Sequence, residues 1–179
     1  MGGPGDRGHE SPEVELARSA IEAWITERRT LSRREMEREG ELLKQKAAAF
    51  VCLKKEGNLR GCIGTFKPTR ESLADEIANN AISAACRDPR FFPVSKDELQ
   101  DLEISVDVLS DPEPIPDVSH LDPKTYGVIV ESGGKIGLLL PDIEGVDSVE
   151  YQLEVARNKA GIRPGEPVKL YRFIVQRHE

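Results

Sequence analysis

The segment Asn58-Leu59-Arg60-Gly61-Cys62-Ile63-Gly64-Thr65 sets a guanidinium, a thiol and two glycines within five positions. In an extended strand Arg60 and Cys62 leave from the same face, two positions apart. A nearby guanidinium favours the thiolate, so the pair has the make-up of an anion site or of a nucleophile. Gly61 and Gly64 remove β-carbons near the sulfur and let another backbone or a ligand come close. The same residues also admit a packing role. Free cysteine often behaves as a small buried hydrophobe, and strand glycines mark bulges or backbone crossings.

The other two cysteines look like core fillers, Cys52 in the run Phe50-Val51-Cys52-Leu53 and Cys86 in an alanine-rich helical segment. Three cysteines without close pairing, and no apolar signal at the start, point to a reducing cytoplasm. His9, His120 and His178 fall in leader, loop and tail, with nothing nearby to complete a metal set, and no cofactor is implied. Ser/His/Asp spacing, a P-loop and a dinucleotide fingerprint are all missing, which leaves an enzyme and a non-catalytic binding module both open. A net charge of −7 and a pI near 5.2 argue against a dedicated nucleic-acid binder. The local pairs Arg28-Arg29 and Arg33-Arg34 fit a solvated helix face. No apolar run approaches the length needed to cross a bilayer.

The elements that must position these residues follow from periodicity. At 179 residues the chain fits one domain, or a domain with a small second lobe. Residues 1–12 read as a flexible leader or linker and 13–178 as the folded domain. Ser11-Pro12 caps a first helix of about four turns carrying Val14, Ala17, Ile21, Trp24 and Ile25. The charged stretch Thr26 to Gln45 holds a loop and a short helix. Residues 46–53 and the motif strand form a hairpin about Lys54–Asn58. A second helix runs from about Arg70 to Arg87, with Leu73, Ile77, Ala81, Ile82 and Ala85 inward. Asn80 on that apolar helix must hydrogen-bond, structurally or to a ligand. Ser95-Lys96-Asp97-Glu98 is a capping box.

Leu102 to Leu109 alternates, with Ile104, Val106 and Val108 on one face and Glu103, Ser105 and Asp107 on the other. Pro112, Pro114 and Pro116 make a short extended connector. Strands follow at Gly127–Glu131 and Lys135–Leu140 about a Ser132-Gly133-Gly134 turn. A third helix opens at Asp147–Glu150 and stops at Gly161, and a closing strand spans Val168 to Gln176. Hairpins interleaved with helices imply an α+β fold with a mainly antiparallel sheet flanked by helices.

Taken together, these motifs make the sequence similar to the AMMECR family, named for the chromosomal region linked to Alport syndrome, midface hypoplasia and elliptocytosis. Its Arg-Gly-Cys-Ile-Gly hallmark is Arg60 to Gly64 here. The likeness continues through Asn80-Ala81, Asp88-Pro89-Arg90-Phe91, Glu103-Ile104-Ser105-Val106, Gly137-Leu138-Leu139-Leu140-Pro141, Gln152 and Lys159-Ala160-Gly161-Ile162. It covers about Val14 to Arg177. Phe92 ahead of Pro93 departs from the commoner family pattern. So does Tyr126, where some members carry a histidine, so no catalytic histidine is available there.

The resemblance implies a compact two-lobed α+β fold but no established reaction. In microbes it links the family to Memo-like and radical-SAM proteins, and some members are fused to a Memo domain. The leader resembles what would remain of such a linker, or replace it. The expected function is action on a small anionic or aromatic metabolite in that system, within a cleft around the motif. Cys62 and Glu103 are the candidate catalytic groups. Arg60, Gly61, Gly64, Asn80, Ser105 and Arg90 are the candidate binding groups. The alternative is an adaptor that partners a Memo-like protein.

Overall fold

The structure is a computed structural model and describes residues 9–179; residues 1–8 of the expected leader lie outside the described residues. The chain divides into two compact units, one running up to Val108 with Arg177–Glu179 added, the other Leu109–Gln176. Each is α+β and built around a four-stranded sheet.

In the first unit, helix α1 (Pro12–Glu27) starts where the Ser11 hydroxyl accepts the Val14 amide and proline occupies the first turn. It buries Val14, Ala17 and Ile21, as the spacing expects. The charged stretch after it contains α2 (Arg33–Met36), a 3-10 turn (Glu37–Glu39) and α3 (Gly40–Lys44). Strands β1 (Ala48–Lys55) and β2 (Asn58–Gly64) pair as a hairpin. Glu56 and Gly57 at its tip both take positive φ, as a two-residue turn of the type I′ kind requires.

Helix α4 spans Leu73–Cys86 and not Arg70–Arg87. Its start is held back because the buried Glu76 carboxylate accepts the Thr69 and Arg70 amides and the Thr65 and Thr69 hydroxyls. Those amides are therefore committed outside the helix, and Ser72 caps it by accepting the Asp75 amide. Strand β3 (Leu102–Leu109) completes a core in which Ile21, Leu73, Ile77 and Ala81 pack with Val51, Leu53, Ile104 and Val106. Each such aliphatic side chain contributes about 1.5–3 kcal/mol by leaving water.

The second unit contains β4 (Glu113–Ile115), β5 (Gly127–Ser132), β6 (Lys135–Leu139), α5 (Val149–Ala160) and β7 (Lys169–Phe173). Gly161 ends α5 in the left-handed conformation. The expected closing strand is two strands. It breaks at Ile174, and β8 (Val175–His178) joins the first sheet.

The sheet orders are β2-β1-β3-β8 and β4-β7-β5-β6. Both contain a hairpin, a helix and a third strand laid beside the hairpin's first strand. The third strand of each unit runs on into the fourth strand of the other sheet: β3 leads through Ser110–Pro112 into β4, and β7 through Ile174 into β8. A matching glycine supports the correspondence. A β-carbon at Gly61 would stand under 3.0 Å from the Ala84 carbonyl oxygen of α4, and one at Gly137 equally close to that of Ala156 in α5. In each unit the helix backbone rests on the second hairpin strand at a glycine.

Candidate functional site

Cys62 follows Gly61 and therefore faces away from α4. Its register partner is Cys52, and the two form a disulfide with Cα atoms 4.1 Å apart. The Cys62 amide donates outward to the Asp88 carboxylate at 3.0 Å, not to β1. The two cysteines thus form a non-hydrogen-bonded pair, the closer of the two antiparallel pair types. This corrects the reading that the cysteines lack close pairing and that Cys52 is core filler. A regular hairpin counted back from Glu56-Gly57 sets Cys52 opposite Gly61. The register shift beyond Leu53 places Leu53 opposite Gly61 and Cys52 opposite Cys62.

The same irregularity breaks strict alternation at Arg60. Its guanidinium turns onto Glu98, giving bonds of 3.0 and 3.1 Å from Nε and Nη2, while Nη1 is buried without a hydrogen-bond partner. Glu98 also closes the capping box at Ser95. The Arg60 guanidinium holds its carboxyl down at about 2, against the upward push of burial.

Strand β2 is an edge strand, and Asp88 and Arg90 seal that edge. Asp88 is buried. It accepts from the Cys62 amide and from the Arg90 backbone and guanidinium, while Arg90 Nη2 also reaches the Cys62 carbonyl at 3.3 Å. The Arg90 guanidinium holds the Asp88 carboxyl well below the usual carboxylate range, with burial opposing it. Arg60 and Arg90 both lie against the Phe91 ring, at 6.0 and 5.5 Å from its centroid. The Arg90 side chain is 55% exposed and Phe92 is 89% exposed.

Gly61 admits the backbone of α4, and Gly64 lies under the Phe50 ring, so both have packing roles. The Asn80 amide is buried and donates to the Ala49 carbonyl at 2.9 Å, at the root of β1. Glu103 and Ser105 alternate with Leu102, Ile104 and Val106, which pack into the helix-side core. They stand on the same sheet face as Cys52 and Cys62, with β1 between β3 and β2. Glu98, Phe91 and the Cys52 partnership were missed by sequence reasoning. Glu98 had a signal only as a helix cap.

Among the described residues no group of three or more potential ligands could hold a metal ion, and no helix is long and apolar enough to cross a membrane.

The chain's relatives span most of its length. The AMMECR1 family model matches residues 14–178. A protein of Thermotoga maritima is 54% identical over 172 residues, covering 95% of this chain and 98% of its own length. A Clostridium acetobutylicum protein is 47% identical over 168 residues; the match spans 94% of this chain and only 36% of that longer protein. The crystal structure of an uncharacterized protein from Pyrococcus horikoshii superposes with a TM-score of 0.84 at 32% identity, covering 92% of this chain and 88% of that one.

Proposed function

The chain belongs to the AMMECR1 family, and we propose that it is an enzyme, or the metabolite-binding component of one, in which reduced Cys62 acts on a small anionic or aromatic metabolite. One observation carries this reading. Residue for residue from the matched glycines, the place of Cys62 opposite Cys52 is filled in the second unit by Leu138 opposite Ile129. An aliphatic pair meets the needs of that hairpin, so the sulfur pair in the first unit supplies chemistry that packing does not ask for.

Reduction of the pair takes two electrons and two protons from a dithiol, which leaves as a disulfide, and frees the thiol of Cys62, whose carbonyl Arg90 reaches. Arg90 and Phe91 offer a cation and an aromatic face to an anionic ring, with Arg60 behind them. Glu103 and Ser105 are the polar groups available further along the same sheet face. In the cytoplasmic setting expected from the sequence, cellular thiols would hold the pair reduced. The family resemblance assigns the partners of this chemistry as a Memo-like protein and a radical-SAM protein.

A second reading, an adaptor for a Memo-like protein, is favoured by the exposure of Leu59 and Phe92 beside the sealed β2 edge. Calorimetric titration with 4-hydroxybenzoate and with phenyl phosphate distinguishes the two. Binding by the reduced protein that disappears on oxidation and in Cys62→Ser supports the metabolite reading. No binding in either redox state, together with redox-independent capture of a purified Memo-like protein that Phe92→Ser abolishes, replaces it with the adaptor.

A further inference from the structure

A cavity of about 720 Å³ lies within the first unit, away from the cysteine pair, on the side of the sheet where α1 and α4 pack. Its volume falls within the range of about 300–1,000 Å³ usual for small-ligand sites. Trp24 of α1 stands at one side, Met36 of α2 and Ile82 of α4 supply apolar surface, and Asn79 offers a carboxamide. The wall formed by Pro68–Glu71 is fixed in advance, because buried Glu76 holds the Thr69 and Arg70 amides and both threonine hydroxyls.

The charge of the lining runs against that of the chain. The protein carries −7, yet Arg33, Lys46, Arg70 and Arg87 meet only Glu71 and Asp75 around this cavity. Asp75 is already engaged, by the Ser72 hydroxyl at 2.6 Å and by Arg33 at 4.0 Å. Lys46 and Arg70 have no ion pair or side-chain hydrogen bond among the described residues. Arg87 lies over the Trp24 ring, 5.7 Å from its centroid, a cation–π contact beside the free cations. Two uncommitted cations call for an anion, and the indole, guanidinium and carboxamide call for a flat ring with polar edges.

We propose that this cavity binds a phosphorylated aromatic metabolite of the nucleoside monophosphate class, with Lys46 and Arg70 on the phosphate and the ring against Trp24 and Arg87. This does not rest on the function assigned to the cysteine pair.

Trp24 is the single tryptophan of the chain, so its emission reports occupancy directly. The full chain is titrated with adenosine 5′-monophosphate, with adenosine and with inorganic phosphate, and calorimetry is run in parallel. The expected result is a saturable change in Trp24 emission with the monophosphate and weaker binding, by roughly tenfold or more, of adenosine or phosphate alone. Lys46→Gln/Arg70→Gln should weaken monophosphate binding by roughly tenfold or more while leaving the melting temperature unchanged, since both side chains are exposed and unpaired. Absence of a saturable response to the monophosphate overturns the assignment. So does a response unaltered in the double variant, or equal binding of adenosine or of phosphate.

Discussion

Gly61 has no side chain because the Ala84 carbonyl oxygen occupies the place where one would go. Gly61→Ala must push α4 off β2, since the obstructing atom is backbone. The expected cost is about 2–4 kcal/mol, read as a drop in urea midpoint without a change in slope. Gly137→Ala, facing the Ala156 carbonyl, should lose a similar amount. A wild-type midpoint in either variant would disprove the close approach.

The cysteines should label in an order set by redox state. In the native protein without reductant, alkylation reaches Cys86 alone, and slowly, because burial pushes that thiol's pKa up. After mild reduction Cys62 becomes reactive and overtakes Cys86. Peptide mass spectrometry follows both. Cys62 labelling rapidly before any reductant is added would rule out the disulfide.

Removing the cross-link should also show in stability. It closes a short loop, with a sequence separation of 10. Cys52→Ala/Cys62→Ala is expected to lose about 2–3 kcal/mol against the oxidised protein. Against the reduced protein the difference should be small, and the comparison of the two melts measures it.

Acid should weaken the first unit through the β2 edge. The Arg60 guanidinium holds Glu98 at about 2, and Arg90 holds Asp88 well below its ordinary value. Both folded values lie below the unfolded ones near 4, so their stabilisation is complete above about pH 5 and is lost as pH falls towards 2. Glu98→Gln should flatten that decline in chemical denaturation across this window. An unchanged pH dependence would mean that the pair contributes nothing.

Asp88 is expected to matter more than an ordinary loop carboxylate. It is the acceptor for the outward-pointing Cys62 amide and for Arg90. Asp88→Ala should cost about 2–4 kcal/mol and speed hydrogen exchange at the Cys62 amide, with Asp88→Asn milder. A protected Cys62 amide in Asp88→Ala would contradict this.

Local patterns carried most of the fold. Caps, turn residues and apolar spacing located α1, the two hairpins and α5 to within a few residues, because each is decided by short-range chemistry. Two boundaries were not legible. The start of α4 depends on Glu76 taking amides from residues that precede it, and the break at Ile174 depends on which sheet receives the chain. The candidate site was legible only as a motif. That Arg60 belongs to Glu98, 38 residues on, and that Cys52 meets Cys62 across a register shift, are results of tertiary pairing. The cavity carried no motif at all, since Trp24, Lys46, Arg70 and Arg87 come from separate elements.

The passage of β7 into β8 also bears on how the chain is made. The first sheet takes its last strand from β8, beyond the second unit, and Arg177 clasps buried Asp107 across 70 positions of sequence. During synthesis the outer edge of β3 therefore waits, unpaired, until the strands and helix of the second unit and then β8 have left the ribosome. A nascent chain halted before Val175 would present that edge to its neighbours, and edges of this kind recruit other strands. Completion of the first unit comes after synthesis of the second, and it depends on β8.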